Sequence, residues 1–103
     1  MQGMSEPAYL DIDPRTLHLP PSRSSGADPV KLQRQIALYG TSVDGMPPLW
    51  VYRGSDGALM IYDGVTRATR VAMLLPGTRV CVEVIGDLTA PCGHLPTVGA
   101  QSP

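Results

Sequence analysis

With 103 residues the chain has room for one domain, and an apolar fraction of 43% supplies one modest core. A formal net charge of -1 argues against a strong, non-specific grip on nucleic acid, which draws on a basic surface, but it leaves room for a local arginine cluster. Two cysteines make neither a disulfide framework nor a CxxC metal spacing.

Residues 1–8 are short, polar and interrupted by Pro7, which predicts a flexible end. Tyr9-Leu10-Asp11-Ile12-Asp13 alternates apolar and polar, the pattern of a first strand. Ser22 to Gly26 reads as a loop. At Asp28-Pro29 a helix should begin: Asp caps the unpaired N–H groups, and Pro suits the first helical position. Leu32, Ile36 and Tyr39 then share one face, and Gly40 is a natural stop.

Leu49 to Arg53 is rich in β-formers and predicts a strand. Asp56-Gly57 predicts a hairpin turn, with Ala58 to Tyr62 returning. After Asp63-Gly64 a second helix is expected from about Thr66 to Leu75, with Ala68, Val71, Ala72 and Leu75 facing inward. Val80, Val82 and Val84 mark one face of a last strand, within which Cys81 reads as a small buried hydrophobe. From residue 88 the chain is Pro/Gly/Ser-rich and predicts a second flexible terminus, so the domain should span 9–87. With no Phe, the core is expected to use Leu, Val, Ile, Met, Tyr and Trp50, and core packing is the expected role of Trp50 and Tyr52. The fold class is α+β, with a mixed sheet and two main helices.

The first residues lack a basic-then-apolar secretory pattern, and no apolar run approaches the roughly 18 residues of a membrane span. The expectation is a cytoplasmic protein without membrane contact.

Chemistry concentrates in Tyr62-Asp63-Gly64-Val65-Thr66-Arg67-Ala68-Thr69-Arg70. There a strand ends, a glycine turns the chain and a helix opens. First-turn N–H groups, the Thr66 hydroxyl and the Arg67 fork are the parts of an anion site. The same residues also read plainly as a cap (Asp63), a turn (Gly64) and a solvated cation (Arg67). His18 and His94 lie too far apart in sequence to suggest a metal site.

The segments Ile12-Asp13-Pro14, Asp28-Pro29-Val30-Lys31-Leu32, Pro48 to Arg53, Asp63-Gly64-Val65-Thr66-Arg67-Ala68 and Val80 to Ile85 resemble, in order and spacing, the ParB/sulfiredoxin family. In that family a GxxR turn opens a helix that holds nucleotide phosphates. Sulfiredoxins bind ATP there, ParB proteins CTP, and related free-serine kinases ADP. The resemblance implies phosphate or nucleotide binding (ATP, ADP or CTP, with Mg2+) by Gly64, Thr66, Arg67 and Lys31, joined by Arg70. Lys31 matches the Asp-Pro-x-Lys start of sulfiredoxins, although as a residue it reads equally as a solvated helix lysine. Any catalysis would be phosphoryl transfer or nucleotide hydrolysis, with Asp63 the nearest acid or base.

The chain also departs from the family. Val65 stands where sulfiredoxins carry their catalytic cysteine, and Cys81 and Cys92 lie elsewhere, so sulfiredoxin activity is not expected. Thr66 replaces a common histidine, and Arg34 and Leu38 replace small hydroxyl residues. No recognition helix follows, so sequence-specific DNA binding is not expected of this chain alone. Two other readings stand beside nucleotide binding. One is a non-catalytic interaction module with a protein or DNA partner in a partition or mobile-element system. The other is a ParB-like nuclease, which needs a carboxylate cluster for metal.

Overall fold

A computed structural model describes residues 8–101. Four strands, β1 (Ala8–Ile12), β2 (Leu49–Arg53), β3 (Leu59–Asp63) and β4 (Val80–Asp87), form one mixed sheet in the order β1-β4-β2-β3. The pairs β1–β4 and β2–β3 are antiparallel, and β2–β4 is parallel. A parallel pair needs a crossover. Here β3 and a helix supply it.

The helices are α1 (Pro29–Tyr39), α2 (Val65–Leu74) and the short α3 (Val98–Gln101), with single 3-10 turns at Pro14–Thr16 and Pro21–Arg23. The Asp28 carboxylate accepts the Val30 amide at 2.9 Å, which caps α1 as the sequence suggests. The Gly40 amide closes the other end on the Ile36 carbonyl at 2.8 Å. The architecture is thus α+β, and among the described residues no helix is long and apolar enough to cross a membrane.

Period-2 patterning explains the sheet side of the core. Leu49 and Val51 of β2, Ile61 of β3, and Val80 and Val82 of β4 are buried. They cluster with Ala68, Val71 and Ala72 of α2, with Leu17 and Leu19, and with Val98 of α3. Burying an aliphatic side chain of this size contributes about 1.5–3 kcal/mol. Helix α1 buries no residue fully and lies on α2.

Two expectations are corrected. No aromatic side chain is in the buried core. Because Leu49 and Val51 take the core side of β2, the pleat sends Trp50 to the other side, where it is 44% exposed. Tyr52 is half-buried and Tyr62 is exposed.

The second correction concerns the chain after Asp87. Cys92 and Val98 are buried, and the Leu19 and Val98 amides donate to the Pro96 and Leu17 carbonyls at 2.7 and 2.9 Å. The domain therefore extends beyond residue 87 through α3. Residues 1–7 and 102–103 of the two expected flexible ends lie outside the described residues.

The tail is anchored at the β2–β3 hairpin. Asp56 accepts the Gly93 amide at 2.9 Å and the Cys92 amide at 3.3 Å. The Cys92 thiol donates to the Ala58 carbonyl at 3.3 Å. A Cβ at Gly54 would sit 2.7 Å from the Cys92 sulfur, so only a glycine lets the tail pass this closely.

Candidate functional site

A cleft of about 750 Å³ lies between α1, the 20–28 loop, the end of β3 and the first turn of α2. It is built by the helix starts the sequence announces. The cap at Asp28 fixes where α1 begins, and Lys31 and Arg34 follow one helical turn apart. Both line the cleft.

Opposite them stands the turn into α2. Gly64 has φ +118°, a left-handed conformation that disfavours any side chain. A Cβ there would also meet a Leu49 methyl carbon at 2.6 Å. The first intrahelical bond of α2 is Ala68 N–H to the Gly64 carbonyl at 2.9 Å. The amides of Val65, Thr66 and Arg67 therefore have no partner within the helix. Gly64, Val65, Thr66 and Arg67 all line the cleft.

Of the six residues singled out in the sequence, five meet here: Lys31, Asp63, Gly64, Thr66 and Arg67. Arg23, from the 3-10 turn Pro21–Arg23, and Arg34 join them. The cleft thus holds four cations and two carboxylates, Asp28 and Asp63, on a chain of net charge -1. Among the described residues the side chains of Arg23, Lys31 and Arg34 make no ion pair or hydrogen bond. Such a concentration of one sign draws anions.

Arg67 is more constrained. Its guanidinium donates to the Pro47 carbonyl at 2.9 Å and to the Asp63 carboxylate at 3.1 Å. Asp63 is accordingly not the helix cap, a position that Gly64 takes without a side-chain bond.

Arg70 is the sixth residue, and it does not line the cleft. It is 1% exposed and donates to the Gly40 and Ser42 carbonyls at 2.7 and 2.8 Å. It also reaches Gln35, and its guanidinium carbon lies 5.4 Å from the Tyr39 ring centre. Arg70 holds the C-terminal end of α1, whose unpaired carbonyls carry partial negative charge.

The rest of the expected chemistry is dispersed. Arg34 and Leu38, the departures noted on α1, both face the cleft. Neither cysteine does. The Cys92 thiol is pushed above its ordinary value, by burial first and by the Asp56 carboxylate second. Among the described residues no three His, Cys, Asp or Glu side chains gather in a way that could hold a metal ion.

Sequence reasoning missed Arg23, Trp50 and Tyr62 as cleft residues. Arg23 offered no local signal. The adjacency of Tyr62 to the Asp63-Gly64 turn did offer one. No protein-family model matches the chain, and comparison with curated proteins finds no match.

Proposed function

We propose that the domain belongs to the ParB/sulfiredoxin type and that its cleft binds the phosphates of a nucleotide. One observation carries the reading. Folding brings Lys31 and Arg34, from one helix, to the same cleft as Thr66, Arg67 and the unpaired first-turn amides of another. Phosphate oxygens accept from all of these donors. Thr66 would donate its hydroxyl. Lys31 and Arg34 would neutralise the more distant phosphates, and ATP, ADP and CTP, each with Mg2+, are the candidate ligands.

A second reading draws on the Arg67 contacts. With Asp63 and Pro47 already engaging that guanidinium, the turn works as a clamp between β3, α2 and the loop before β2. That favours a non-catalytic interaction module.

Titration of the protein with ATP, ADP, CTP and inorganic triphosphate, with and without magnesium and followed by amide NMR, tests both. Shifts at residues 64–68 and at Lys31 support the phosphate site. No response to any of these anions at millimolar concentration rejects it and leaves the module.

A further inference from the structure

The chain has one tryptophan and four tyrosines, and none of them is in the buried core. Large aromatic side chains normally supply core area. Here Leu, Ile, Val and Ala fill the core, and three aromatics gather at the β2–β3 pair. The Trp50 and Tyr62 rings lie 6.4 Å apart and within 17° of parallel. Tyr52 props Tyr62 edge-on at 5.5 Å and 78°. Trp50 remains 44% exposed and Tyr62 58% exposed, so the stacked pair leaves apolar ring area open to solvent.

Trp50 and Tyr62 both line the cleft that holds the four cations. Tyr62 precedes Gly64 by two residues, roughly 7 Å along a strand. An anion-attracting end and a flat apolar end at this separation match a ligand that joins phosphate to a planar ring. The residues lining the cleft from β2 and β3 are Trp50, Met60, Ile61, Tyr62 and Asp63. They include no carboxamide to read the polar edge of a base, and the carboxamide that α1 brings to the cleft, Gln35, accepts from Arg70 at 3.3 Å.

We propose that Trp50 and Tyr62 form the base-binding wall of the cleft, so that a nucleotide held by its phosphates is recognised by stacking and purines are preferred over pyrimidines. The proposal rests on the phosphate-site reading and adds to it the ligand class and the source of selectivity. Stacking strength follows ring area and tolerates different edge patterns.

Trp50 is the sole tryptophan, so its emission reports the wall directly. The full chain is titrated with ATP, CTP and inorganic triphosphate, following emission and, by calorimetry, affinity. Trp50→Leu and Tyr62→Leu are titrated alongside, with circular dichroism to verify folding. The expected result is quenching by ATP, weaker quenching by CTP and none by triphosphate. ATP affinity should fall roughly five- to a hundredfold in each variant while triphosphate affinity is unchanged. ATP and triphosphate binding equally well to wild type and variants, with emission constant, overturns the wall and keeps the phosphate site. Failure of all three anions to bind overturns both.

Discussion

The Arg67 guanidinium lies 3.1 Å from the carboxylate of Asp63, one helical turn earlier in the chain, and both line the cleft. Asp63 thus occupies a donor that a phosphate would otherwise use, and its charge repels the same ligand. Its side chain is 62% exposed, so the pair itself contributes only about 0.3–0.5 kcal/mol to stability. Asp63→Asn should tighten binding of triphosphate or ATP by about two- to tenfold at low salt, and the gain should shrink as salt screens the charge. Calorimetric titration at two ionic strengths checks this. An unchanged or weakened affinity would mean that the carboxylate organises the turn instead of competing for it.

Arg67 and Arg70 lie on one helix with opposite prospects. Arg67→Ala removes a cleft cation and a surface ion pair. Anion binding should be lost, with a stability cost of about 1 kcal/mol or less. Arg70→Met deletes buried, charge-assisted bonds to the Gly40 and Ser42 carbonyls and leaves both acceptors without that donor. A loss of about 3 kcal/mol is expected. Urea denaturation separates the two variants, and equal destabilisation would contradict the division of roles.

The contrast shows what was legible in the sequence. Caps, turns and the apolar faces of α1, α2 and β4 are local signals, and they placed the elements to within a residue or two. Arg70 sits away from the apolar stripe of Ala68, Val71 and Ala72, on a side that reads as solvated. It is buried because α1 and its following loop close over that side of α2, a tertiary event with no local mark. The tail carries little local mark of its docking for a similar reason. Its bonds to Leu17, Leu19 and Ser55 join distant residues and follow no period. A trace was there in Leu88, Cys92, Leu95 and Val98, spaced three or four apart but broken by prolines and glycines. The aromatic wall was hidden because alternation along β2 does not say which face is covered.

Gly64 is a poor place to probe ligand binding. A methyl group there meets Leu49 at 2.6 Å, and φ +118° strains any side chain. Gly64→Ala should cost about 2 kcal/mol or more, so lost binding would report lost structure. Lys31 is exposed and Thr66 half-buried, and neither side chain has a hydrogen-bond partner among the described residues. Lys31→Ala and Thr66→Ala should stay within about 0.5–1 kcal/mol of wild type in urea while weakening triphosphate binding. A large stability loss in either would show that the residue holds the fold.

The anchoring of the tail at Asp56 predicts an acid-sensitive latch. Backbone amides, that of Gly93 above all and then those of Cys92 and Ala58, hold the Asp56 carboxyl below its usual value of 3.8. Folding therefore favours the ionised form. The contribution is complete above the unfolded value near pH 4 and is lost as pH falls through the lower, folded value. Protonation removes acceptor strength from the contact that keeps Cys92 under the hairpin. Cys92 should react slowly with a disulfide reagent active in acid, such as dithiodipyridine, from pH 7 down to about pH 4, and faster below that. In Asp56→Asn the fast reaction should already occur at neutral pH, with Cys81, which is only partly buried and not enclosed as its strand pattern suggests, as the internal standard. Equal Cys92 rates in wild type and variant at pH 7 would show that the Cys92 bond to Ala58 and the packing of Val98 hold the tail without Asp56.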